Sequence, residues 1–250
     1  MKRLLCLRAM SEKAQLKPLL IVNGGILVPS FPKTTKVLFE KHVLCNPQGS
    51  DFQFLVQLSN SRSEFVTAME GGSPASVLRV VCDYLPLLWR FMSSLKQGAG
   101  VRLSAPLEFN WSSAFQDNDK RMKAKIYTFH SIDVELLMVL VCFAVAHLQT
   151  AAEKLSQMLS EKQLADVAKD VNVHFLGASG IFAYVNTQIL PMSVLSKERP
   201  IELLQPFHVC MTKVCLMMAN AVLLRKSIEE SMKPVSKCRQ VCVCISLSLF

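Results

Sequence analysis

Between residues 164 and 185 the apolar positions Leu164, Ala168, Val171, Phe175, Ala178, Phe182 and Val185 follow one another at spacings of 4, 3, 4, 3, 4 and 3. At 3.6 residues per turn that alternation keeps all seven on one stripe of a helix spanning about 160–190. A stripe of this length has to be covered by other helices, so the segment alone commits the chain to a multi-helix fold. Two further segments strengthen the reading. Residues 131–153 are uncharged from Leu136 to Ala146 and apolar almost all round, which predicts a central helix packed on several sides. That run is shorter than the roughly 18 apolar residues a membrane-spanning helix needs, which points to a buried helix of a soluble protein. Residues 201–232 carry Leu203, Leu204, Phe207, Met211, Val214, Met218, Ala221 and Val222 as an apolar side, with Glu229 and Glu230 set against the helix dipole near the carboxyl end.

The first half of the chain mixes periods. Leu19–Val22 and Ile26–Val28 flank Asn23-Gly24-Gly25, a hairpin signal. Val37, Phe39 and Val43 recur among charged residues as in a half-buried strand. From Asp51 the period becomes helical through Phe52, Phe54, Leu55, Leu58, Phe65 and Met69, and Gly71-Gly72 ends the segment. Ser73-Pro74 suits an N-cap and first helical position for a second helix running to about Leu95, with Pro86 inside it. Leu107–Trp111 alternates as a strand, and 117–120 is a polar turn. Trp89 and Trp111 read as core or corner residues.

Composition narrows the function classes. At 51% hydrophobic and 19% charged residues, a disordered chain is excluded. The net charge of +9 sits at the ends: residues 1–42 carry 8 basic and 2 acidic groups, 225–250 carry 5 and 2, and 43–224 carry 15 of each. A nucleic-acid binder shows a basic face on its folded body, so this distribution argues against nucleic acid. Basic ends are solvated termini or a peripheral contact with an anionic membrane surface. Nine cysteines at irregular spacing, with no C-x-x-C pair, suggest free thiols, a reducing cytoplasmic compartment and no zinc knuckle. Cys82, Cys142, Cys210 and Cys215 lie in apolar surroundings and are expected to pack as small hydrophobes.

A catalytic constellation is hard to find. None of the five histidines pairs at the i, i+4 spacing of a helical metal site. Gly177-Ala178-Ser179-Gly180 lacks the G-x-S-x-G spacing of a nucleophile elbow and lies within helical periodicity, where small residues permit close helix contact. His208, Cys210 and Cys215 supply three ligand types without a fourth, short of a structural zinc site. Neither catalytic residues nor a metal or cofactor site are expected.

The order of elements and five local motifs resemble the Bro-one domain of Alix-type endosomal-sorting proteins. Phe31-Pro32-Lys33-Thr34-Thr35-Lys36-Val37-Leu38-Phe39 is similar to that family's opening Lys-Thr strand. Leu107-Glu108-Phe109-Asn110-Trp111-Ser112-Ser113-Ala114-Phe115 fits its L-x-F-x-W-x-x-A-F strand. Glu135–Leu140 with Ala144 and Ala146 resembles its central apolar helix, and Phe175–Phe182 its F-x-x-A-[AS]-G-x-F segment. Met218-Ala219-Asn220-Ala221-Val222-Leu223-Leu224-Arg225-Lys226 resembles its A-Q-A-Q-E helix, with departures.

The resemblance implies a mainly α fold, a helical boomerang or tetratricopeptide-like bundle with a small N-terminal β-sheet. It divides the chain into a flexible basic N-terminus (1–17), a partial Bro-one-like domain (18–237) and an atypical apolar tail (238–250). It further implies a non-catalytic cytoplasmic adaptor, endosome-associated, that binds the carboxyl-terminal helix of an ESCRT-III subunit by helix-in-groove recognition. Of the family's groove positions, one falls on Leu223, while two would fall near Ser236 and Gln240, which do not match. The sequence after Lys237 looks unlike the family and suggests a truncated form. The competing readings are a truncated helical scaffold without binding activity and an enzyme using Cys210 or His208.

Overall fold

The computed structural model describes residues 21–22, 25–26, 28–44, 49–97, 102–114, 125–156, 161–193 and 198–232. Among them the expected helical architecture is present. Five α-helices form the body: α1 (Ser50–Glu70), α2 (Pro74–Gln97), α3 (Ile132–Ser156), α4 (Glu161–Tyr184) and α5 (Gln205–Met232). Each helix packs chiefly on its neighbour in sequence, α1 on α2, α2 on α3, α3 on α4 and α4 on α5. Three two-stranded antiparallel ribbons accompany them. β1 (Ile21–Val22) pairs with β2 (Gly25–Ile26) in the register Val22 opposite Gly25, and Asn23 and Gly24 of the expected hairpin turn lie outside the described residues. β3 (Val43–Leu44) pairs with β4 (Arg102–Leu103), and β5 (Phe109–Ser112) with β6 (Ile126–Phe129), Trp111 lying opposite Tyr127.

The helix boundaries follow from local chemistry. α1 stops where Gly72 takes a φ of 70°, a left-handed conformation that glycine adopts without a steric penalty. α2 starts at Pro74, whose fixed φ suits a first turn, with the Ser73 carbonyl accepting from the Val77 amide at 3.1 Å. It continues through Pro86. α3 is buried on nearly every side from Val134 to Cys142, as its all-round apolar sequence requires. The stripe on α4 is realised: Ala168, Val171, Phe175, Ala178, Phe182 and Val185 are all fully buried, and the side chain of Leu164 lies outside the described residues.

Several expectations are corrected. Residues 37–43 are not one strand, because a 3₁₀ turn (Phe39–Lys41) interrupts them. The Phe39 amide donates to Ser59 Oγ on α1 at 2.8 Å, and its ring packs edge-on against Phe91 at 5.3 Å, so burial of one aromatic bends the segment. The helix expected to reach residue 190 ends at Tyr184 and passes through a π turn (Val185–Ile189) and a 3₁₀ turn (Leu190–Met192). The next begins as a 3₁₀ turn (Ile201–Leu203) before α5. On α5, Cys215 and Ala219 are buried, whereas Val214 is half-buried and Ala221 exposed. Trp111 is buried as expected, but Trp89 is 47% exposed. Cys142 and Cys215 pack as expected, Cys210 is half-buried, and Cys82 is exposed. The turn at 117–120, the basic N-terminus 1–17 and the tail 238–250 lie outside the described residues.

One polar cluster crosses this apolar body. Glu135 on α3 is fully buried and its carboxylate accepts four hydrogen bonds. Arg62 Nε (2.8 Å) and the Tyr84 hydroxyl (3.1 Å) donate to Oε1; Arg62 Nη2 (3.2 Å) and Trp111 Nε1 (2.8 Å) donate to Oε2. Arg62 also donates to Thr34 Oγ1 at 3.2 Å and to the Thr35 carbonyl, and its guanidinium lies over the Phe109 ring at 5.6 Å. Burial alone would lower the proton affinity of Arg62, but the Glu135 charge overrides it and holds the guanidinium above its ordinary value. Burial, reinforced by the same carboxylate, pushes the Tyr84 phenol well up, so it stays a donor. The Lys-Thr segment is thereby tied to the Trp strand. Thr34 bridges to Trp111, the Lys33 amide donates to Ser112 Oγ at 2.7 Å, and the Ser112 amide donates to the Lys33 carbonyl at 2.8 Å.

Removing one partner of such a pair leaves an uncompensated buried charge. Arg62→Ala is expected to lower stability by about 3–5 kcal/mol. Trp111→Phe, which deletes one bond to the carboxylate but keeps an aromatic ring, is expected to cost about 1.5–3 kcal/mol. Urea denaturation checks the order: equal or reversed losses would mean that ring volume, not the carboxylate, dominates.

Candidate functional site

α3 and α5 have similar apolarity and different surroundings. Although the uncharged run of α3 is itself short, both helices are long and apolar enough, by overall length and composition, to cross a membrane. In α3, however, 83% of the most apolar window is buried within the protein, and it carries the bonded Glu135. In α5 only 39% of that window is buried.

The uncovered part of α5 is an ordered surface. Val209, Leu216 and Leu223 recur every seven residues, and so do Met217 and Leu224 beside them. All five are exposed, Leu223 by 43% and Leu224 by 63%. At 100° per residue they fall on one face of the helix, opposite the buried Met211, Cys215, Met218 and Val222. Lys213 and Asn220, also exposed, punctuate the face with polar groups. On neighbouring α4, Val173 and Leu176 are exposed. The Ser179 hydroxyl donates to the Thr212 carbonyl at 3.1 Å and sets how α4 lies beside α5. Such an array offers sockets for the apolar side of another helix. The structure therefore places Leu223 on an exposed apolar face, while Ser236 and Gln240 lie outside the described residues. Sequence reasoning named only Leu223 here. The seven-residue recurrence of Val209, Leu216 and Leu223 was the available signal for the remainder.

The residues considered for catalysis are placed differently. His208 is fully buried, its Nε2 donating to the Glu202 carbonyl at 2.7 Å and its ring lying against Phe207 and Phe182. Burial pulls its pKa from 6.5 down to about 4, the bond to Glu202 opposing that pull. Burial pushes the Cys215 thiol up to about 12, so it is a protonated packing residue and a poor nucleophile. Ser179 is buried inside α4 with its hydroxyl engaged. Glu202 is a second fully buried carboxylate and accepts both Ser113 Oγ at 2.9 Å and the Ala114 amide, anchoring the end of the Trp strand on the entrance to α5. Its role was not visible in the sequence.

Two histidines far apart in sequence meet across α3 and α4. His147 Nδ1 and His174 Nδ1 are 3.0 Å apart, one donating to the other. Burial, and secondarily His174, lowers the His147 pKa to about 4. His174 is lowered by burial and by Lys154, against the raising effect of Asp170. Among the described residues no group of three or more His, Cys, Asp or Glu converges as a metal cluster.

Comparison with known proteins bears on the whole body. The family described as BRO1-like domain matches residues 47–247. No curated protein matches significantly. Among solved structures, similarity is found to "ALIX BRO1 CHMP4C complex" at 21% identity and a TM-score of 0.63, over 83% of this chain and 57% of that one. "Structure basis for endosomal targeting by the Bro1 domain" is similar at 16% identity and a TM-score of 0.58, over 85% of this chain and 55% of that one. The chain thus spans somewhat over half the length of these structures, and the likeness is one of fold.

His208 gives the helical body a defined acid response. Its folded pKa lies below its ordinary value, so the unfolded chain takes up a proton first. The His208 contribution to stability is full above about pH 6.5 and falls by about 1.4 kcal/mol per pH unit down to about pH 4. Urea denaturation between pH 7 and pH 4.5 should show this slope added to that of His147, whose pKa is lowered likewise, and His208→Asn should remove only the His208 share. An unchanged slope in that variant would assign the acid response to other groups.

Proposed function

The chain belongs to the BRO1-like domain family, and on that premise we propose that it is a non-catalytic adaptor whose α5 face binds the carboxyl-terminal amphipathic helix of an ESCRT-III subunit. The observation that carries the proposal is the exposed apolar face Val209, Leu216, Met217, Leu223 and Leu224 on a helix otherwise packed into the core. Leu223 is its central anchor. In a similar structure the family domain is seen with CHMP4C, a relation that supports the choice of ligand. Burying one leucine side chain contributes about 1.5–3 kcal/mol, so two or three anchors suffice for a regulated, reversible contact once ordering costs are subtracted. The enclosure of His208, fully buried with its Nε2 bonded to the Glu202 carbonyl, supports a binding role over catalysis. Recruitment to the cytoplasmic surface of endosomes follows from this reading, with the basic ends of the chain adding attraction to anionic lipid.

Fluorescence polarisation with a labelled ESCRT-III carboxyl-terminal helix tests it. Leu223→Asp is expected to weaken binding at least tenfold while shifting the thermal midpoint by no more than a few degrees, because the side chain is exposed. Unchanged affinity in this variant would refute the assignment of the face. Absence of binding by the native sequence would refute the choice of ligand.

A further inference from the structure

We propose that His147 and His174 form a binding site for a divalent transition-metal cation of the zinc type, joining α3 to α4. The two residues are 27 positions apart in sequence, yet their Nδ1 atoms approach to 3.0 Å. Nitrogen ligands sit 2.0–2.1 Å from zinc in tetrahedral sites, which puts two of them roughly 3.3–3.4 Å apart. An opening of a few tenths of an ångström turns the hydrogen-bonded pair into a chelating pair.

The surroundings hold the rings in this posture. Gly177, three residues beyond His174 on α4, faces the His147 ring so closely that a Cβ there would lie 3.2 Å from Cε1 and Nδ1. Phe143 packs edge-to-face with the same ring, the centroids 4.9 Å apart. Both imidazoles are neutral at pH 7, and neutral imidazole is the form that ligates. One Nδ1 carries the proton shared in the bond. On metal entry that proton moves to Nε2 of the same ring, both Nδ1 lone pairs face the cation, and no net proton is released. The nearby charges, Lys154 from α3 and Asp170 from α4, are paired with each other at 3.2 Å and nearly cancel.

Two imidazoles favour zinc or copper over calcium or magnesium. With no third protein ligand converging among the described residues, the remaining coordination positions fall to water or an external donor. The site is therefore weaker and more exchangeable than a four-ligand structural zinc site.

Isothermal titration of the full chain with zinc chloride, at pH 7 in a non-chelating phosphine reductant, tests the proposal. The native sequence is expected to bind zinc at least tenfold more tightly than His174→Gln, and zinc should raise the thermal midpoint only in the former. Gly177→Ala, whose methyl group would displace the His147 ring, should weaken binding several-fold. Equal zinc affinity in the native sequence and His174→Gln would assign the metal to the cysteines and overturn the proposal, as would no binding at all. Imidazole nitrogen resonances give a readout independent of the variants: those of His147 and His174 must move on adding zinc, and unmoved resonances reject the site.

Discussion

The carboxylate of Glu135 is the constraint around which the first half of the fold is organised. A fully buried carboxylate costs several kcal/mol of lost hydration, and its four donors have to be in place together to offset that. Arg62 comes from α1, Tyr84 from α2 and Trp111 from β5, so satisfying one side chain fixes how three elements sit against α3. Through Arg62 the same cluster reaches Thr34 and Thr35, which draws in the segment preceding α1. An apolar replacement of similar volume could match this cluster in stability. What the polar version adds is geometry, since apolar contacts tolerate rotation and sliding that bidentate hydrogen bonds do not.

The parts of the fold legible in the sequence are those encoded by local periodicity. The stripe from Ala168 to Val185 could be assigned to a buried helix face from spacing alone, and the glycine pair at 71–72 with Ser73-Pro74 marked a helix break. Periodicity says which face is apolar and is silent about what covers it. On α5 it suggested Val214 and Ala221 as core residues, whereas Cys215 and Ala219 are the ones turned inward, because two adjacent stripes of that helix are almost equally apolar. Periodicity likewise left Trp89 open between core and corner, and the core half fails: α2 presents its buried side through Tyr84, Leu88 and Phe91, and residue 89 lies off that line.

The candidate sites were less legible still. Leu223 could be named from a motif likeness, but whether it faces solvent depends on which elements pack against α5. Arg62 and Glu135 are 73 residues apart, and His147 and His174 are 27 apart. Pairing over such separations leaves no trace in a window the length of a helix. Glu135 in particular stands at the start of a nearly continuous apolar run, where its charge reads as a helix-start preference and not as the centre of a network.

The stepwise packing of each helix on its predecessor has a consequence for the order of events during synthesis. Contacts between sequence neighbours close short loops, so successive helix pairs can form as they emerge. The bond between Arg62 and Glu135 breaks that rule. At about 5–20 residues per second, roughly four to fifteen seconds separate the appearance of the two partners. During that interval α1 and α2 carry a guanidinium on their inner side with no anion to meet it. Their final docking is thus timed by the arrival of α3, and a nascent chain halted before residue 135 carries an α1–α2 pair whose apolar inner side is still open.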